Sequence, residues 1–109
     1  MAVTSAASGT QAATVSTEHN LGSAITTAGV YVLVVDTNAM VGGDRLELRA
    51  RTKTKTGSTQ RLAYVASYRN AQSTLVKYSV PVPVDTEVQF TLKQTAGTGR
   101  SFDWNVLSL

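Results

Sequence analysis

Between Asp44 and Arg69 the chain alternates apolar and polar residues with a period of two, in two stretches separated by Thr56-Gly57-Ser58-Thr59. A helix cannot gather such a pattern onto one face, whereas a strand does so automatically. In the first stretch Leu46, Leu48 and Ala50 share one face, and Glu47, Arg49, Arg51, Lys53 and Lys55 share the other. The second stretch returns with Leu62, Tyr64, Ala66 and Tyr68 opposite Arg61, Val65, Ser67 and Arg69. Gly57 tolerates a positive φ, and the neighbouring hydroxyls are able to bond back to the main chain. The spacing therefore predicts one antiparallel hairpin, apolar beneath and cationic above.

The rest of the chain is read outward from that hairpin. Residues 1–11 are Ala, Ser, Thr and Gly with little to bury, which predicts a flexible N-terminal arm preceding a single domain over 12–109. Strand character begins at Ala12 and is expected to run to Leu21. Val30-Tyr31-Val32-Leu33-Val34-Val35 is too short for a membrane helix and rich in β-branched residues, so it reads as a central strand covered on both faces. Asp36 to Asp44 is expected to form one helical turn or an irregular loop, with Met40 or Val41 plugging the core. Pro81 and Pro83 cannot donate ladder hydrogen bonds, so Val80 to Val84 is expected to be a sheet edge or a bridge between sheets. Val88, Phe90 and Leu92 alternate in a further strand, and Gln94 to Arg100 reads as a glycine-rich hairpin loop. The last strand places Phe102, Trp104 and Val106 on one face. These runs predict an all-β chain, an antiparallel β-sandwich or jelly-roll-like barrel of about seven to eight strands. The expected core is Val32, Val34, Leu46, Leu48, Leu62, Tyr64, Val88, Phe90, Leu92, Phe102, Trp104 and Val106.

At 109 residues the chain holds one domain. It has no cysteine, which removes disulfides and thiolate metal ligands from consideration. The N-terminus lacks signal-peptide regions, and no apolar run approaches the roughly 20 residues of a membrane span, so a soluble protein made without export is expected. The net charge of +3 is uneven. Arg49, Arg51, Lys53, Lys55, Arg61 and Arg69 concentrate in the central hairpin and form the candidate protein-interface set. Such a face serves a solvated strand, an acidic protein partner or nucleic acid.

No catalytic constellation emerges. His19 is the sole histidine and no nucleophile motif flanks it. Asp36, Asn38 and Asp44 lack the spacing of a calcium loop. Gly97-Thr98-Gly99-Arg100 has no following helix to present amides to a phosphate. Tyr64, Tyr68 and Trp104 share faces with apolar residues, which favours burial over a stacking platform. The expectation is a non-enzyme with no cofactor, no metal and no small-molecule substrate.

Gly29-Val30-Tyr31-Val32-Leu33, Asp44 to Arg49, Arg61-Leu62-Ala63-Tyr64, Pro81-Val82-Pro83, and Thr91 to Arg100 followed by Phe102, Trp104 and Val106-Leu107-Ser108-Leu109 together resemble small virion proteins of tailed bacteriophages. The resemblance covers most of the chain after about residue 17 and consists of strands and turns, not a catalytic motif. It implies a bacteriophage structural protein of the capsid decoration or cement type, made in the host bacterial cytoplasm and located in the virion. Its partners would be the major capsid protein and copies of itself, as a homotrimer or other homo-oligomer, with neither nucleic acid nor membrane among them. Alternatives are a neck or tail component, an RNA-binding coat subunit suggested by the basic face, and a carbohydrate-binding module requiring exposed rings.

Overall fold

The computed structural model of the chain describes residues 2–109, which form strands and connecting turns with no helix. In chain order the strands are β1 (Thr4–Ala12), β2 (Glu18–Asn20), β3 (Gly29–Asp36), β4 (Arg45–Thr52), β5 (Arg61–Arg69), β6 (Val76–Tyr78), β7 (Val82–Val84), β8 (Val88–Ala96) and β9 (Ser101–Ser108). They build an antiparallel β-sandwich. One sheet has the order β1-β9-β3-β6, with β7 also paired to β3, and the other has the order β2-β8-β4-β5. Except for the β4–β5 hairpin and the β6–β7 pair, consecutive strands lie in opposite sheets.

The core fills the space between the sheets because each strand turns alternate side chains inward. Tyr31, Leu33 and Val35 of β3 and Phe102, Trp104 and Val106 of β9 meet Leu46, Leu48 and Ala50 of β4 and Val88, Phe90 and Leu92 of β8. Each fully buried Leu, Val or Phe contributes about 1.5–3 kcal/mol relative to exposure. Met40 closes one end of this core, while Val41 points outward. The segment from Asp36 to Asp44 is a pair of turns, held by the Asn38 amide donating to Asp36 Oδ1 at 2.9 Å. At the open edge between the sheets, Lys77 of β6 places its ammonium 4.9 Å from the ring centre of Tyr68 on β5.

Several expectations need correction. The described part of the 1–11 segment is not a free arm, since Thr4–Ala12 runs antiparallel along β9 with Thr4 opposite Ser108 and Ala12 opposite Ser101; Met1 lies outside the described residues. The small residues are what permit this. An added Cβ on Gly9 would stand 3.3 Å from the Trp104 ring, so Gly9 lets the strand lie directly over the indole. The outer side chains then bond across, with Ser5 Oγ donating to Asn105 Oδ1 and Thr10 Oγ1 to Asp103 Oδ1, both at 2.6 Å. The strand expected over Ala12 to Leu21 is in turn reduced to β2 by a tight turn at Ser16, whose φ is 71°.

The second correction concerns β3, whose odd-numbered residues face the core. Val32 and Val34 lie on the opposite face: Val32 is buried there, as expected, though outside the cluster between the sheets, while Val34 is only half-buried. The apolar run hid the phase of the strand, because alternation is invisible when every residue is apolar. The third concerns Leu62, which is 44% exposed. A bulge pairs Ala50 with Tyr64 but Arg51 with Leu62, so the extra residue Ala63 shifts Leu62 to the outer face. Tyr64 keeps its inward position and packs against the core.

Finally, Gln94 to Arg100 is not a hairpin within one sheet. β8 and β9 belong to different sheets, and the glycines carry the chain around the end of the sandwich. Asp44 anchors this corner: its Oδ1 accepts from the Thr98 amide at 3.2 Å and its Oδ2 from the Val41 amide at 3.0 Å and Arg100 Nε at 2.9 Å. Buried Gln94 completes it by donating to the carbonyls of Ala96 and Thr98 and accepting from the Arg100 amide. Gly97, at φ 89°, leaves no room for a Cβ against Asp44. Burial alone would raise the Asp44 pKa, but the Val41 and Thr98 amides and the Arg100 guanidinium outweigh it and hold the carboxyl below its ordinary value.

At the opposite edge, β7 takes the first of the two alternatives for the proline stretch, since Val82–Val84 pairs on one side only, with β3. β6 and β7 pair with successive parts of β3, and the break between them falls at the Ser79–Pro81 segment. Ser79 bridges that break, its amide donating to the Leu33 carbonyl at 2.8 Å and its hydroxyl accepting from the Leu33 amide at 2.9 Å.

Candidate functional site

The two outer sheet faces differ in chemistry. On the β2-β8-β4-β5 sheet, the outward residues of β4 lie between those of β8 and β5, which aligns Arg49 with Thr91 and Val65. Glu18 on β2 reaches across this row. Its carboxylate accepts from Arg51 Nε at 2.8 Å and Nη2 at 2.9 Å, from Arg49 Nη1 at 3.4 Å and from Thr91 Oγ1 at 2.6 Å. Arg49 also binds Glu47 Oε1 through Nη2 at 2.5 Å, and Lys53 Nζ lies 3.3 Å from Glu87 Oε1. The Arg51 fork first, against some loss of hydration, then the Thr91 hydroxyl and the two positive charges bring the Glu18 pKa down from 4.5 to about 2. The same contact raises the Arg51 pKa.

This network changes the meaning of the predicted cationic set. Arg49, Arg51 and Lys53 share one face, yet each is matched by a carboxylate from β2, β4 or the segment before β8. Lys55 sits in the turn. Arg61 and Arg69 stand at opposite ends of β5, about 26 Å apart at strand spacing, and Arg61 falls on the inward side of the strand because its partner is Thr52. The six residues do not converge on one spot. Their carboxylate partners were legible only as scattered Glu residues, since nothing local marks Glu18 as lying beside residues more than thirty positions away.

The outer face of the other sheet is divided: its β1–β9 side carries Ser5, Ser8, Thr10, Asp103 and Asn105, and its β3–β6 side carries an apolar patch. Val30 and Val34 of β3, Val76 and Tyr78 of β6 and Leu107 of β9 lie on it, with Tyr78 62% and Val76 45% exposed. A shallow groove of about 230 Å³ runs between Val34, Val76, Asp103 and Asn105. Asp36 and Asp103 mark its polar end. The sequence showed this face as a single apolar run on β3. What it did not show was that β6 would lay Val76 and Tyr78 beside the outward side of that run.

The residues examined for catalysis have structural partners. His19 Nε2 accepts the Thr14 amide at 3.0 Å, closing the turn before β2. Asp36 and Asp44 engage separate turns, and no group of three or more metal-ligating side chains occurs among the described residues. Trp104 is 9% exposed and lies beneath Gly9, which removes it from any stacking platform. Comparison of the chain with protein-family models, curated proteins and solved structures finds no match.

Proposed function

We propose that the protein is a bacteriophage virion structural protein of the decoration or cement type, which seats the outer face of its five-stranded sheet on the shell. The observation that carries this reading is the apolar patch in which exposed Val76 and Tyr78 adjoin half-buried Val30, Val34 and Leu107, since exposed apolar side chains grouped on one face suit a protein contact. The strand order lends support. If β6 and β7 count as one interrupted strand, β1-β9-β3-β6/β7 over β2-β8-β4-β5 is a jelly-roll arrangement, an architecture used by viral shell proteins as well as lectins and cupins. The opposite face, where Glu18, Glu47 and Glu87 neutralise Arg49, Arg51 and Lys53, remains hydrated and faces away from the shell. Because residues 4–12 belong to the sheet, N-terminal contacts with neighbours come from the free edge of β1.

The test is cryo-electron microscopy of particles carrying the protein, paired with co-sedimentation of the Tyr78→Glu variant. Density on the shell is expected, with occupancy reduced at least tenfold by the substitution, as for loss of a buried aromatic anchor worth about 2 kcal/mol. Density confined to the neck or tail would move the protein to those parts of the particle. Unchanged occupancy would remove the apolar face from the contact.

A further inference from the structure

We propose that the notch at the end of the β4–β5 pair is a binding site for a small oxyanion, carboxylate or phosphate, held by Arg45 and Arg69. These two arginines are direct cross-strand partners on the outer face, and like charges in that position repel. The other cations on β4 and just after it are matched: Arg49 and Arg51 by Glu18 and Glu47, and Lys53 by Glu87. Neither Arg45 nor Arg69 forms an ion pair among the described residues. The Arg45 Nε is also buried and has no hydrogen-bond partner, an expensive state for a charged donor.

The space beside them suits such a ligand. A notch of about 320 Å³ is lined by Gly43, Asp44, Arg45, Arg69, Asn70 and Ala96. Asp44 does not compete for the arginines, because both its oxygens are engaged by Val41, Thr98 and Arg100. The walls are fixed: the Gly43 amide donates to Asn70 Oδ1 at 2.9 Å and the Asn70 amide to the Asp44 carbonyl at 2.8 Å. Gly43 and Asn70 both take positive φ to make this clasp. Two arginines lining one notch offer guanidinium forks that match the paired oxygens of a carboxylate or a phosphate, which an ammonium does not. This site does not depend on the proposed shell contact, which uses the other sheet.

The test follows the arginine Nε–H cross-peaks in ¹H–¹⁵N spectra while inorganic phosphate, and separately acetate, is titrated at ionic strength held constant with chloride. Saturable shifts of Arg45 and Arg69 are expected, with Arg61, at the far end of β5, unmoved. Saturation by phosphate alone, by acetate alone or by both supports the site and assigns its ligand class. Arg69→Gln, a substitution at an exposed position, is expected to weaken binding about tenfold, and Arg45→Lys, which keeps the charge but loses the fork, by a similar factor. Non-saturable shifts, shifts of equal size at Arg61, or affinity unchanged in both variants would overturn the proposal.

Discussion

Glu18 gathers two arginines and a threonine hydroxyl although it lies on a three-residue strand, and this has a consequence for acid stability. Its pKa falls from 4.5 to about 2 on folding, so the folded state binds the proton less readily than the unfolded chain. The stabilisation is therefore complete above the unfolded value and disappears as the pH drops through the folded one. Glu18→Gln is expected to lower unfolding free energy by about 1–3 kcal/mol at neutral pH, since it leaves Arg51 and Arg49 short of a charged acceptor. Urea denaturation across a pH series should show that difference closing as the solution approaches pH 2. A difference that stays constant with pH would place the loss in packing instead of charge. Asp44, also depressed, adds to the same acid-side loss through its contacts with Val41, Thr98 and Arg100.

Among the elements, β1 and β5 show how an edge is made acceptable. β5 is an edge strand with Arg61 and Arg69 at its ends and a bulge at Ala63, features that discourage pairing with a foreign strand. β7 uses Pro83 for the same purpose, and β2 is only three residues long. β1 has no charge and no proline over nine residues, and its hold on the domain comes from its ladder with β9 and the fit of Gly9 over Trp104. Deleting residues 2–12 should therefore expose the indole and the edge of β9. Tryptophan emission is expected to shift to the red, and stability to fall by about 3 kcal/mol or more. A truncated chain with unaltered emission and thermal midpoint would show that the segment does not contribute to the fold.

Taken whole, the domain is a slab of 41 × 31 × 19 Å in which the chain passes from sheet to sheet at almost every connection. β1 pairs with β9 and β2 with β8, so both ends of the sequence must meet before either sheet is complete. Such pairing costs loop-closure entropy before any contact rewards it. Refolding is expected to take milliseconds to seconds, with a single cooperative unfolding transition. Stopped-flow tryptophan fluorescence measures this directly through Trp104, and a refolding time in microseconds would contradict the dominance of distant pairing. The shape also separates two chemically distinct faces, one with an apolar patch around Val76 and Tyr78, the other with a network of charges centred on Glu18.

The hydrophobic alternation of β4, β8 and β9 was sufficient to place Leu46, Leu48, Val88, Phe90, Leu92, Phe102, Trp104 and Val106 in the core, because a strand's two faces follow directly from residue parity. The prolines likewise marked an edge, since a missing donor is a property of the residue itself. Parity failed where it carried no information, at Val32 and Val34 in a wholly apolar strand, and where a bulge reset it, at Leu62. Composition also misjudged residues 4–12: small side chains bury little by themselves, and their place in the sheet depends on a tryptophan ninety-five positions beyond Gly9. The pairing of Glu18 with Arg49 and Arg51, the approach of Arg45 to Arg69 and the joining of Tyr78 to Val34 were likewise decided only in three dimensions. Each depends on which strands become neighbours, and that choice is made by the packing of the whole core.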